Sequence, residues 1–233
     1  MTCHSDPPPG TDESRCPMQT GELLHRRWLT KKAFEIELSR PPGFEFNAGQ
    51  SLRMIHEGHE RHYSLISAVD DQTLAICVRY IPGGMFTPVL AEAMPGTRFQ
   101  FTGPHGYFVF RPSLRPAVFV ATGTGIAPFV AMARAGVSGF TLLHGVRTAD
   151  ELYYKEIFND IAVTYLPCLS GEVAQDGLAL GAYAGKATRY VRNHLARRPY
   201  DFYLCGRQEM VRDVTLLADE YFPGSHVYTE VFF

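Results

Sequence analysis

No apolar run in this chain is long enough to cross a bilayer, so no membrane span is expected. Charge is scarce: Lys, Arg, Asp and Glu make up 20% of the 233 residues, and the formal net charge is −2. A nearly neutral molecule has no overall field to draw it to nucleic acid or to an anionic lipid surface, so neither partner is expected. The start, MTCHSDPPPG, lacks the basic-then-apolar pattern of a secretory signal. Cysteine is sparse: Cys3, Cys16, Cys77, Cys168 and Cys205 are scattered and odd in number. That usage points to reduced thiols in a cytoplasm. No four cysteines lie close together, so an iron–sulfur centre carried on this chain is not expected.

What is present is a 45% hydrophobic content, enough for a core in one large or two small domains. Residues 1–20 are polar, rich in Pro and without period, and read as a flexible tail. From Gly21 the chain turns β-like. FEIEL, SLRMI and LAICVRYI are separated by PPGFEFNAGQ and AVDDQ, which carry turn residues. Short strands at this spacing predict a small antiparallel β-barrel domain over residues 21–112. His56, His59 and His62 recur at every third position around Gly58, but no carboxylate or cysteine completes a metal site, and none is expected.

Composition shifts at the short linker around Pro112–Pro116. Beyond it, strand and helix alternate: AVFVA, FVAMARA, FTLLHGV, ELYYKEIFNDI, AVTYLPCLS, KATRYVRNHLA, DFYLCG, RQEMVRDVTLLADEYF and HVYTEVFF. That order predicts an α/β domain over residues 113–233, with a parallel sheet and crossover helices.

Three stretches carry chemistry. In Arg61-His62-Tyr63-Ser64 a cation, a flat ring and a hydroxyl fall within four residues of a strand. Such a set suits an aromatic cofactor with phosphates: the guanidinium forks onto oxygens and the phenol stacks. The same four residues are equally compatible with a plain amphipathic strand. In IPGGMFTPVLAEAM, Gly83 and Gly84 let backbone approach a ligand, and Thr87 is placed to cap a helix starting at Pro88. A helix start beside a glycine loop suits phosphate, though a capped helix alone explains it. Third, Thr122-Gly123-Thr124-Gly125-Ile126-Ala127-Pro128 follows a strand and opens a helix, where open α/β sheets bind nucleotides. It lacks the third glycine of the usual dinucleotide fingerprint.

In this order the three stretches resemble the ferredoxin–NADP⁺ reductase family of flavoproteins, from about Gly21 to Phe233. The resemblance implies an FAD-binding β-barrel joined to an NAD(P)H-binding, Rossmann-like domain. It implies that Arg61 holds the flavin pyrophosphate, Tyr63 stacks on the isoalloxazine and Ser64 bonds near flavin N5. Gly83, Gly84, Met85 and Thr87 would lie near the pyrophosphate. Thr122, Gly123, Thr124, Gly125 and Pro128 would form the nicotinamide-domain motif, together with Cys205 and Gly206. The ending Glu230-Val231-Phe232-Phe233 is similar to the family's Glu-Val-Tyr terminus, with Phe for Tyr and one residue more. Ser64, Cys205 and Glu230 would then line the hydride path, and Phe232 or Phe233 would shield the flavin.

The implied activity is hydride transfer from NAD(P)H to FAD, with electrons passed to a separate acceptor such as a ferredoxin or an oxygenase component. A reductase of free flavin or ferric chelates, or a non-turnover electron-transfer subunit, shares the same motifs. Arg147 and Ser170 are expected to bind the coenzyme, and Arg147, with Lys186, could still serve the extra phosphate of NADPH. Where many NADPH-using relatives carry Ser-Arg, this chain reads Ser170-Gly171-Glu172, which suits a ribose diol and favours NADH. His25, Arg26, Arg27, Lys31 and Lys32 form a basic patch that could dock an acidic ferredoxin or simply be a solvated strand surface.

Overall fold

The computed structural model describes residues 16–171 and 181–232, the last through its backbone only. Strands β1 (Gln19–Thr30), β2 (Ala33–Ser39), β3 (Ser51–His56), β4 (His59–Ser64), β5 (Thr73–Arg79) and β6 (Arg98–His105) form one antiparallel sheet in the order β4-β3-β6-β1-β2-β5. The sheet closes on itself where Leu65 bridges Ile76 and the Ile66 N–H donates to the Ala75 carbonyl at 2.8 Å. It is the expected barrel, and β1 begins at Gln19, within the stretch expected to be tail.

Period-two alternation decides which side chains fill it. In β2, Phe34, Ile36 and Leu38 point inwards beside Leu74, Ile76 and Val78 of β5. The opposite faces carry the small residues Ala33, Ala75 and Cys77, and these pack against the second unit.

That unit is a parallel sheet in the order β10-β9-β8-β7-β11-β12. Its strands are β7 (Ala117–Thr122), β8 (Thr141–Val146), β9 (Thr164–Leu169), β10 (Tyr183–Ala184), β11 (Asp201–Arg207) and β12 (His226–Phe232). Both faces are covered, which is why AVFVA is apolar throughout. Phe119 and Ala121 face Phe129 and Phe158 on one side, and Val118 and Val120 face Val214 and Phe222 on the other. The helices are α2 (Ala127–Arg134), α3 (Lys155–Asn159), α4 (Ala187–His194) and α5 (Gln208–Tyr221), with α1 (Thr87–Glu92) on the barrel.

The helix expected over ELYYKEIFNDI shrinks to the five residues of α3. Tyr154 adopts the left-handed region (φ 62°), and both it and Tyr153 are buried. The Tyr154 hydroxyl donates to Glu35 Oε2 on the barrel at 2.8 Å. Burying two rings in the domain contact thus overrides a helical period. Arg134 also crosses, donating to the Ile66 carbonyl at 2.6 Å, and Lys32 pairs with Glu151. The linker is tied down at the other end of the sheet. Asp201, buried at the start of β11, accepts from Ser113 and from Arg115 Nε, the latter at 2.6 Å. Among the described residues no helix is long and apolar enough to cross a membrane.

Candidate functional site

Thr122 ends β7, and residues Gly123–Ile126 make a single 3-10 turn into α2. Pro128 lies in the first turn of α2, where its missing N–H costs nothing. The turn is locked against β11. A Cβ at Gly125 would lie 2.3 Å from the Cys205 carbonyl oxygen. At Gly206, where φ is +130°, a Cβ would lie 2.2 Å from Thr122 Oγ1. That hydroxyl accepts from the Arg207 N–H at 2.8 Å. Two glycine motifs far apart in sequence therefore interlock, and neither position has room for a side chain.

The next strand over, β12, pairs Glu230 with Cys205 in register. Glu230 Oε2 accepts from Ser64 Oγ at 2.9 Å, and Cys205 Sγ lies 3.9 Å from the same oxygen. Ser64 and Cys205 are buried. Burial pushes the Glu230 carboxyl up to about 7, opposed by the hydrogen bonds from Ser64 and Cys205. Burial, and then the Glu230 charge, push the Cys205 thiol well above its ordinary value, which disfavours the thiolate a nucleophile needs. The sequence-chosen trio is thus one contact at the seam between barrel and parallel sheet.

Upstream of Ser64 on β4, the Tyr63 ring is partly buried, 6.1 Å from the Phe86 ring. Burial raises its phenol and the nearby Arg61 charge lowers it. Arg61 is exposed, one Nη donating to the Glu60 carbonyl at 2.7 Å. In the glycine loop, Gly83 has φ +70° with nothing within 4 Å of where a Cβ would be, and Met85 is exposed. An accessible guanidinium, an aromatic face and an open glycine loop are a donor set that fits a flavin dinucleotide.

The expected helix cap at Thr87 is not formed. The N-cap of α1 is Phe86, with no side-chain hydrogen bond, and the helix has only six residues. The Thr87 hydroxyl instead closes the preceding loop, accepting from the Ile81 N–H at 2.9 Å and donating to its carbonyl at 3.3 Å. The loop, rather than a helix start, is what this threonine shapes.

Arg147 and Ser170 meet at the ends of β8 and β9. Ser170 donates to the Val146 carbonyl through both N–H (3.0 Å) and Oγ (3.2 Å), and the Gly171 N–H donates to the Arg147 carbonyl at 2.8 Å. A Cβ at Gly171 would lie 2.7 Å from that carbonyl oxygen. Glu172 and Phe233 lie outside the described residues, and Phe232 is in register with Arg207 through the backbone.

The basic patch is partly spent inside the molecule. Arg26 donates to the Ala93 carbonyl at 2.8 Å, Arg27 pairs with Glu35 at 3.3 Å, and Lys32 pairs with Glu151. Among the described residues no group of three His, Cys, Asp or Glu is placed to hold a metal.

Two residues escaped sequence reading. Gly106, at φ +89°, brings backbone to the far side of Glu230, where a Cβ would lie 3.7 Å from Oε1; the signal was the turn-forming Gly-Pro-His-Gly run. His144 lies buried in β8 beneath the Gly123 turn, and nothing in a strand of apolar residues announces it.

Comparison with known proteins agrees with this geometry. A family model described as oxidoreductase FAD-binding domain matches residues 30–110, and one described as oxidoreductase NAD-binding domain matches residues 119–215. The chain is 31% identical to the reductase subunit of an aromatic O-demethylase from Amycolatopsis, over 91% of its own length and 71% of the relative's. It is 30% identical to the ferredoxin–NAD(P)⁺ reductase component of a naphthalene 1,2-dioxygenase system from Pseudomonas putida, spanning 87% of this chain but 64% of that one. Among solved structures, a cytochrome P450 reductase from Amycolatopsis superposes with a TM-score of 0.79 at 27% identity, over 93% of this chain and 71% of that one. A ferredoxin–NADP⁺ reductase from Neisseria gonorrhoeae, solved with FAD and NADP, shares the fold with a TM-score of 0.73 at 22% identity, over 93% and 99% of the two chains. The chain belongs to the ferredoxin–NADP⁺ reductase-like family of FAD- and NAD-binding oxidoreductases.

Proposed function

We propose that this chain is a cytoplasmic, NADH-dependent FAD reductase that feeds electrons to a separate protein, a ferredoxin or an oxygenase component. Bound FAD would supply the conversion between a two-electron donor and a one-electron acceptor. The observation that carries the reading is the Ser64–Glu230–Cys205 contact. Packing has no need of a carboxylate there, and burial leaves it with a proton affinity near neutrality.

Each element then has a task. Arg61 neutralises the pyrophosphate, and the loop of Gly83, Gly84, Met85 and Thr87 lets backbone reach it. Tyr63 offers a flat surface to the flavin ring. Ser64 and Glu230 would hold a proton between Oγ and Oε2 for the bound flavin, and Cys205 would help exclude water. The turn Thr122–Gly125, with Pro128 and Gly206, receives the dinucleotide, while Arg147 and Ser170 face its ribose. A terminal ring, Phe232 or Phe233, would cover the flavin, as the resemblance of the ending Glu230-Val231-Phe232-Phe233 implies.

The acceptor class rests on relatives named as reductase components of a dioxygenase system and of an O-demethylase. The preference for NADH rests on the sequence, which follows Ser170 with Gly171 and Glu172 where a cation would suit the extra phosphate of NADPH; Arg147, which lies against Gly171, is a cation that would favour the opposite choice. The test is the visible spectrum of the purified protein under anaerobic conditions. It should be yellow, bleach with NADH faster than with NADPH, and recolour on adding a one-electron acceptor. A protein that takes up no FAD, or whose FAD neither coenzyme bleaches, sinks the reading.

A further inference from the structure

The turn that receives the coenzyme is held across by Cys205 and Gly206, as described. It is also held from beneath. His144 lies near the end of β8, opposite Ala121 of β7, and is fully buried. Its Nε2 lies 3.3 Å from the Gly123 carbonyl oxygen, and its Nδ1 lies 3.2 Å from the Tyr165 hydroxyl on β9. A carbonyl only accepts, so Nε2 carries the proton and Nδ1 accepts from Tyr165. The ring is wedged edge to face against Tyr153, centroids 5.7 Å apart. Burial holds the imidazole neutral, down at about 4. A buried polar ring needs a partner for each nitrogen, and here the two partners are the Tyr165 hydroxyl and the Gly123 carbonyl of the turn.

We propose that His144 is a positioning residue for coenzyme binding: its Nε2–H anchors the Gly123 carbonyl and so orients the N–H groups of the turn toward the dinucleotide. Gly123 has φ +53°, a conformation open to several alternatives in a glycine. With its carbonyl tied down the peptide plane that follows cannot rotate, and the Thr124 N–H keeps its direction. Gly125 packs on Cys205 and fixes the far end of the same turn, so the two contacts define it from both ends. The inference rests on the coenzyme role proposed for this turn.

The substitutions separate shape from hydrogen bonding. In His144→Gln the amide NH2 stands where Nε2 stood and reaches Gly123. In His144→Asn the amide stands where Nδ1 stood and reaches only Tyr165. His144→Phe keeps a ring and loses both bonds. Binding of oxidised NAD⁺, titrated calorimetrically on the full-length flavin-loaded protein, should weaken about fivefold in the Phe and Asn variants, as loss of one orienting hydrogen bond implies. The Gln variant should stay within about twofold of wild type. Amide hydrogen exchange of residues 123–126 should quicken in the Phe and Asn variants only. Should the Phe variant fail to fold, the Gln and Asn pair carries the comparison. Equal NAD⁺ affinity and equal exchange in Gln and Asn overturns the proposal. Neither readout needs turnover. A wild-type flavin that NADH fails to bleach would count against the proposed function, whereas unchanged exchange at the turn counts against His144.

Discussion

Two carboxylates of the parallel sheet, Asp201 at the start of β11 and Glu230 near the end of neighbouring β12, stand at opposite ends of the sheet and meet opposite treatment. Asp201 is surrounded by donors, Ser113 and, at 2.6 Å, Arg115 Nε, and a second nitrogen of the same guanidinium donates to His226 Nδ1 at 2.8 Å. Glu230 meets a hydroxyl and a thiol, with no cation hydrogen-bonded to it among the described residues, and burial raises it to about 7. One group is neutralised and fixed, which serves the linker. The other is left close to its titration point, which serves chemistry. Strand order places both, and only the partners differ. Changes at the lower end should therefore cost stability and spare ligands, and changes at the upper end should do the reverse.

The largest effect is expected at the clasp. Asp201→Ala leaves Arg115 without its carboxylate and frees the linker, for a loss of about 3 kcal/mol in denaturant unfolding. NADH should still reduce the flavin of the folded variant at close to the wild-type rate. A large loss of rate with stability intact would erase the contrast between the two ends.

Glu230→Gln should do the opposite. Flavin reduction should slow by about 10²-fold, the scale of a lost proton-handling group, and stopped-flow mixing with NADH measures it. Stability should rise at alkaline pH. A carboxyl raised from 4.5 to about 7 on folding is at no disadvantage below pH 4.5. As pH climbs from 4.5 to 7 the unfolded chain ionises first, and stability falls. The variant lacks this fall, so its advantage should open through that window and level off above it, at roughly 3 kcal/mol. His144 runs the other way. Lowered from 6.5 to about 4, it loses stability as pH drops between those values. In the wild type the two slopes oppose each other, and Glu230→Gln should expose the acid-side loss that His144 causes. Equal pH profiles for wild type and variant would show that Glu230 is not perturbed.

Much of this was legible in the sequence where the signal is local. Alternation in AFEIELS and the run AVFVA gave the barrel and the doubly covered sheet, because burial pattern follows strand period. Arg61, Ser64, Gly125, Cys205 and Glu230 could be picked out by their motifs. What could not be read was long-range. The helix over ELYYKEIFNDI was cut short because Tyr154 reaches Glu35 on the barrel, a contact no periodicity encodes. Thr87 followed the rule for a cap and was claimed by the Ile81 loop. His144 gave no pattern at all, since its partners Gly123 and Tyr165 lie on other strands and turns.

Arg61 sharpens the comparison from the barrel side. It is exposed and donates a hydrogen bond to its own neighbour's carbonyl, so the fold has little use for its charge. Arg61→Ala should weaken FAD retention by roughly 1.5–3 kcal/mol, the worth of a charge-assisted phosphate contact. Unfolding of the flavin-free protein should not change. Dialysis against high salt followed by flavin fluorescence reads the first, and denaturant titration the second. Unaltered retention would remove Arg61 from the site.

The smallest effect belongs to the terminal rings. A ring at 232 or 233 covering the flavin would also occupy the place the nicotinamide needs. It must then leave before hydride can pass, at a cost of about 1 kcal/mol of lost stacking. Deleting residues 232 and 233 should therefore tighten NAD⁺ binding by about fivefold, and tighter complexes should slow turnover by slowing release. Glu230, two residues earlier and in register with Cys205, remains in that truncation, so the reduction step itself should survive. Ending the chain at Thr229 removes the carboxylate as well, and the reduction step should then fall as it does in Glu230→Gln. The two truncations separate covering the flavin from handling the proton. Should both bind NAD⁺ and reduce at wild-type rates, β12 is an edge strand and nothing more, and the contrast between the two ends of the sheet reduces to one clasp.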